Sequence, residues 1–165
     1  LYCDEQFFVH HNCGKSLIIA DIARQMESPL LVFCPSKEIL AQNYEKMFSY
    51  GIKDVGVYSA SMGIKERRKI TLATIGSVNN HVDDFRLYKY VIVDECHQIN
   101  SKGGMYERFI HDRADRCVVG LTATPYRLSS SFGGGHELKF LTRTRPRIFT
   151  EVLYYCQIRD LLDQG

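Results

Sequence analysis

Apolar residues follow two rhythms along the chain. Short unbroken runs, "FFV" (7–9), "LLVFC" (30–34), "VGVY" (55–58), "ITLAT" (70–74), "YVIV" (90–93) and "CVVGL" (117–121), are rich in β-branched and aromatic residues. Continuous rather than alternating, they predict strands covered on both faces, as in a parallel sheet. Between them, "KSLIIADIARQM", "KEILAQNYEKMF" and "MYERFIHDRA" carry apolar residues at helical spacing. Strand, helix and strand in repetition predict an α/β fold, a mostly parallel sheet with helices on both faces. The Ser/Gly-rich "SSSFGGGH" (129–136) opens a segment, 129–147, that reads as a flexible surface loop. The final "EVLYYCQIRDLLDQG" reads equally well as a closing helix or as a strand followed by a helix.

Composition changes this picture little. A chain of 165 residues, 45% hydrophobic and 24% charged, suits one globular domain, 1–165. It begins on Leu1, which suggests a piece of something longer. A net charge of +2 is too mild to argue by itself for a polyanionic partner. The six cysteines have neither C-x-x-C pairing nor framework spacing, and no Cys/His set has finger-like spacing. They read as reduced thiols in a cytoplasmic protein without a structural metal. No apolar run approaches the length of a membrane span, and "LYCDEQFF" lacks the pattern of a signal peptide. The basic stretches "KERRK" (65–69) and "RTRPR" (143–147) read as solvated surface, with phosphate contact as the alternative.

In parallel sheets ligands bind beyond the carboxyl ends of the strands, so the residues following each apolar run are the candidates for chemistry. After "FFV" comes "HHNCGKS", where Asn12, Cys13, Gly14, Lys15 and Ser16 open a helical stretch. Backbone N–H groups and the helix N-terminus suit a phosphate, Lys15 the outer phosphates and Ser16 a Mg²⁺ ion. Asn12 is one of the few side chains that tolerate the left-handed backbone such loops use. After "YVIV" come Asp94, Glu95 and His97. Charged residues at the tip of a buried run suggest a site: Asp94 as the partner of Ser16 on Mg²⁺, and Glu95, pointing elsewhere, as the acid that orients or deprotonates water. His97 is then a sensor near the terminal phosphate, or a capping or surface histidine. After "CVVGL", the hydroxyls of Thr122 and Thr124 are placed to bridge to carboxylates of the neighbouring strand. Pro35 and Ser36 after "LLVFC", and Thr74 after "ITLA", suit nucleic-acid phosphates, or serve as plain N-cap and turn residues.

Taken in order, "CGKS", "LVFCPSKEILAQ", "TLATIGSV", "VIVDECH" and "GLTATPYR" resemble motifs I, Ia, Ib, II and III of superfamily 2 helicases and translocases of the DExH-box type. "GLTATPYR" and "GGMYERF" are most similar to bacterial and phage members related to restriction-enzyme res subunits. The resemblance spans about Phe7 to Pro125. It implies the first RecA-like P-loop NTPase domain of a nucleic-acid-dependent ATPase, with ATP and Mg²⁺ as cofactors and nucleic acid, DNA ahead of RNA, as partner. Carried over by position, it gives Lys15 to the phosphates, Ser16 and Asp94 to Mg²⁺, Glu95 to water, His97, Thr122 and Thr124 to coupling, and Pro35, Ser36 and Thr74 to the nucleic-acid backbone. Where the family usually has Pro-Thr-Gly, this chain has His10, His11 and Asn12. A second RecA-like domain, which would bring an arginine finger, lies outside this sequence, and the resemblance therefore implies weak hydrolysis by this chain alone. A nucleotide-binding module with little or no hydrolysis, acting as scaffold or regulator, and a small-molecule phosphotransferase are the other classes the residues allow.

Overall fold

A computed structural model describes residues 4–8, 14–100, 103–130, 136–145 and 147–155. In chain order the elements are β1 (Asp4–Phe8), α1 (Lys15–Gln25), β2 (Leu30–Phe33), α2 (Lys37–Ser49), β3 (Val55–Ser59), β4 (Ile64–Lys65), β5 (Ile70–Ala73) and α3 (Ile75–Val78). They continue with β6 (Tyr90–Asp94), α4 (Met105–His111), β7 (Cys117–Thr122), β8 (Tyr126–Ser130), β9 (His136–Phe140) and β10 (Glu151–Tyr155).

One eight-stranded sheet runs in the order β10-β1-β7-β6-β2-β5-β3-β4. All its pairings are parallel except the short β4 edge, which runs antiparallel to β3. Every residue of β2, β3 and β5 is buried, as continuous apolar runs covered on both faces require. Two apolar clusters form the two sides of the core. One packs Ile19, Ala20 and Ala23 of α1 and Leu40 and Met47 of α2 on the sheet. The other gathers Phe33, Phe85, Phe109, Leu141, Ile148 and Phe149. Gly120 of β7 is where this second cluster comes closest: a Cβ there would lie 2.7 Å from both Cys96 Sγ and the Phe149 ring.

The three helical patterns of the sequence become α1, α2 and α4. The segment read as a loop, 129–147, is in part regular structure. Strands β8 and β9 pair antiparallel, Tyr126 opposite Phe140 and Leu128 opposite Leu138, as a separate two-stranded sheet. The period-two alternation of Tyr126/Leu128 and Leu138/Phe140 favours strands, and the Ser/Gly-rich stretch between them hides it. Residues 131–135 and 146 lie outside the described residues. Of the two readings of the last segment, a strand obtains over 151–155.

Candidate functional site

Parallel strands carry their carboxyl ends to one edge, and there register decides which side chains meet. Phe33 is level with Val93 and with Ala73, and Asp94 with Leu121. Cys34, Thr74, Asp94 and Thr122 therefore crown four neighbouring strands. β1 ends beside them, with Phe8 level with Thr122. Asn12 and Cys13, like His10 and His11, lie outside the described residues. Gly14 follows as the N-cap of α1 with φ +79°, a left-handed conformation that costs other residues roughly 1–2 kcal/mol.

From the first turn of α1, Lys15 reaches back to β6. Its Nζ donates to Glu95 Oε1 and stands 3.8 Å from Asp94 Oδ1. Both carboxylates thus converge on one ammonium, although consecutive strand residues point to opposite faces. The reason is the backbone: Glu95 has φ +51° and is the only described non-glycine residue at positive φ. That turn ends β6, starts a 3₁₀ turn over Cys96–Gln98, and re-aims Glu95 to the Asp94 side. The expectation that Glu95 points away from Asp94 is corrected accordingly. Left-handed non-glycine backbone of this kind concentrates at functional sites.

Asn43 of α2 completes the cluster, and the sequence reading missed it. Ser16 Oγ donates to Asn43 Oδ1 at 2.9 Å, and Asn43 Nδ2 donates to Asp94 Oδ2 at 3.2 Å. A buried amide thus links the hydroxyl and the carboxylate expected to share a cation. The available signal was Asn43's place in the stripe Leu40, Asn43, Met47 that α2 buries, since a polar residue on an apolar stripe is the informative exception. Burial pushes the Asp94 carboxyl above the ordinary carboxylate range, while Lys15 and the Asn43 hydrogen bond pull it back. Cys34, against the same amide, has its thiol pushed up by burial to about 12.

Beyond Glu95, His97 Nδ1 lies 3.3 Å from Glu95 Oε2 and 2.8 Å from Thr122 Oγ1. The strand-tip hydroxyl therefore reaches the acidic cluster through a histidine, and not by the direct bond to a carboxylate that the sequence suggested. Thr124 enters through its backbone, its N–H donating to Thr122 Oγ1 at 3.1 Å. Ser36 caps α2 by accepting from the Ile39 N–H at 3.4 Å, and the Thr74 hydroxyl pairs with Ser77 at 2.8 Å.

Two cavities share Glu95 as a wall. One, about 280 Å³, is lined by Gly14, Lys15, Ser16, Asn43, Asp94 and Glu95, with Lys46 of α2 a further cation at its side. The other, about 480 Å³, is lined by Pro35, Ser36, His97, Gln98 and Thr124. Thr74 borders neither, although it sits at the tip of the adjoining strand. The donor set of the first cavity, a hydroxyl and a carboxylate beside an ammonium and a helix N-terminus, fits a phosphate-bound hard cation such as Mg²⁺.

A glycine–lysine–serine helix start and an acidic strand tip thus meet at the carboxyl edge of one parallel sheet. The family model described as type III restriction enzyme, res subunit, matches residues 5–127. The chain belongs to that family. Its fold is that of the first RecA-like domain of superfamily 2 helicases. Among solved structures this res-type domain is similar to the UvsW helicase of bacteriophage T4 (TM-score 0.62, 19% identity, covering 74% of this chain and 47% of that one). It is also similar to the Hef helicase domain of Pyrococcus furiosus (TM-score 0.61, 17% identity, covering 91% and 34%). A third relative in fold is S. cerevisiae dbp5 (TM-score 0.55, 16% identity, covering 74% and 38%). The chain thus spans less than half the length of each of these structures. No curated protein matches it in sequence. Among the described residues no helix is long and apolar enough to cross a membrane.

Proposed function

We propose that this domain binds Mg-ATP in the smaller cavity and is the ATP-hydrolysing half of a DExH-type motor that moves along or separates nucleic acid. The observation that carries the reading is the convergence of Lys15, Ser16, Asp94 and Glu95 on one cavity at the start of α1. In this role Gly14 and the α1 N-terminus receive phosphate oxygens, and Lys15 exchanges its two carboxylate partners for the outer phosphates. Ser16 and Asp94 hold the cation, positioned by Asn43. Mg²⁺, which Ser16 and Asp94 would hold, would supply positive charge against the charge that develops on the phosphate. Release of Lys15 frees Glu95 to orient the attacking water and accept its proton. His97, held between Glu95 and Thr122, passes the state of Glu95 to the segment that begins at Thr124. Pro35 and Ser36, and Thr74 on the adjoining strand tip, then contact the nucleic-acid backbone, which fixes register without reading sequence.

The restriction-enzyme description of the family supports DNA ahead of RNA as the partner, and a cytoplasmic location goes with this reading. The completing arginine finger belongs to a second RecA-like domain, so turnover by this chain alone is slow. The second reading, nucleotide binding without hydrolysis, draws support from the contacts that Glu95 makes here with Lys15 and His97.

Calorimetry of Mg-ATP binding to the chain and to Lys15→Ala tests the proposal. Binding that disappears in Lys15→Ala is the expected result, and absence of binding to the unaltered chain refutes it. Phosphate release that vanishes in Glu95→Gln selects the motor over the silent module.

A further inference from the structure

The hairpin that follows Thr124 has no part in the site described above, yet it exposes what a soluble surface normally covers. Tyr126 and Phe140 face each other across β8 and β9 with ring centroids 6.4 Å apart at 71°. Tyr126 is 44% exposed, Phe140 49%, and Leu138, which shares their face by register, 60%. Beside this apolar face the sequence turns strongly basic. Residues 126–147 hold Arg127, Lys139, Arg143, Arg145 and Arg147 against the single acid Glu137, a net +4 where the whole chain carries +2. Arg143, Arg145 and Arg147 are exposed, and none of them forms an ion pair with a carboxylate of the described residues.

The base of this surface is tied to the core. The Leu141 N–H donates to the Pro125 carbonyl at 2.9 Å and closes the base of the hairpin. Leu141, Ile148 and Phe149 are buried in the core, so the three arginines stand on a short segment tethered at both ends. Along the chain it follows closely on the larger cavity, since Ala123 and Thr124, which line that cavity with Pro35 and Ser36, precede Tyr126 by three and two residues.

We infer that the β8–β9 hairpin and the arginine segment after it form a docking surface for single-stranded nucleic acid. On it Tyr126 and Phe140 stack on bases, and Arg143, Arg145 and Arg147 pair with phosphates. The inference rests on the motor reading and extends it beyond the strand-tip contacts at Pro35, Ser36 and Thr74. Exposed aromatic rings beside uncompensated cations are what an unpaired strand, with bare base faces and a charged backbone, can use in full. A duplex offers only the charge. A protein partner would use the apolar face but would have to supply several carboxylates against the arginines.

The test is fluorescence anisotropy of a labelled oligo-dT of about 15 nucleotides, against a duplex of the same length, over salt from about 50 to 200 mM. The unaltered chain, the pair Tyr126→Leu with Phe140→Leu, and the triple Arg143→Gln, Arg145→Gln, Arg147→Gln are compared, with Mg-ATP binding measured on each. The expected result is tighter binding of oligo-dT than of duplex by the unaltered chain. The aromatic pair is expected to weaken it about tenfold or more. The arginine triple is expected to lower the salt slope by about 2, at roughly 0.7 per phosphate contact on a single strand. Mg-ATP binding stays unchanged throughout. If the chain binds oligo-dT and both variant sets bind it equally with the same slope, the hairpin proposal is overturned while the motor reading stands, and the surface belongs to a protein contact. If the unaltered chain binds Mg-ATP but no oligonucleotide, the proposal falls together with the nucleic-acid half of the motor reading.

Discussion

Asn43→Leu is the sharpest test of how the site is held together. Leucine keeps the same branched heavy-atom skeleton with two bulkier methyls in place of the amide, so the change removes the hydrogen bonds to Asp94, Ser16 and the Cys34 sulfur without opening a cavity. Asn43 is only 4% exposed, and its amide bonds the Asp94 carboxylate at 3.2 Å and the Ser16 hydroxyl at 2.9 Å. A bond to a charged group contributes about 1.5–3 kcal/mol and a neutral one about 0.5–1.5 kcal/mol. Apolar burial of leucine returns roughly 1–2 kcal/mol. The net expectation is a loss of about 1–3 kcal/mol at neutral pH, a fall of about 1 M in the urea midpoint for an m-value near 2 kcal/mol/M.

The pH dependence carries the sign. Burial already holds the Asp94 carboxyl above its ordinary range, and the Asn43 bond pulls it down; removing that bond raises it further. A carboxyl raised in the folded state costs nothing in acid, where both states are protonated, and its cost grows as pH rises from the unfolded value to the folded value. The difference between the two proteins is therefore larger at pH 8 than at pH 5. A double cycle with Asp94→Asn is expected to give a coupling energy of about 0.5–3 kcal/mol. Urea unfolding at the two pH values decides it: a leucine variant as stable as the parent at pH 8, or a difference independent of pH, refutes the role given to this amide.

Three further outcomes are expected. Gly120→Ala drives a methyl to within 2.7 Å of Cys96 Sγ and the Phe149 ring, and loses about 1–3 kcal/mol; a thermal midpoint unchanged within a degree or so contradicts the packing described. Cys34, buried with its thiol pushed up to about 12, stays unlabelled by iodoacetamide at pH 8 until denaturant unfolds the chain, as peptide mass mapping will show. Glu95→Gln keeps Mg-nucleotide affinity within a few-fold while any phosphate release falls by about 10²-fold or more; a variant that hydrolyses like the parent removes Glu95 from the chemistry.

Much of the fold was legible because each parallel strand is a local event. Runs such as "LLVFC" and "YVIV" are apolar on both faces, and no alternative pattern competes with them. The β8–β9 pair was not legible, because its alternation flanks a Ser/Gly stretch that by composition reads as a loop. At the site, Asp94 and Glu95 stood out because they directly follow an apolar run, and Lys15 and Ser16 because they open the helical stretch after one; a parallel sheet gathers such positions at one edge. Asn43 stayed hidden because nothing local marks it beyond one polar residue on an apolar stripe.

By itself, then, the sequence determined the strands β1, β2, β3, β5, β6 and β7, the order of motifs, and the chemical character of their tips, all of which depend on neighbours within a few residues. Only the tertiary structure decided which tips touch. It set Asp94 level with Leu121 and one step beyond Phe33, and it used the left-handed turn at Glu95 to bring two consecutive carboxylates onto Lys15. It also routed Thr122 to Glu95 through His97. The Lys15–Glu95 and His97–Thr122 contacts join residues 80 and 25 positions apart, and they depend on strand register and one backbone torsion, which no short stretch of sequence encodes.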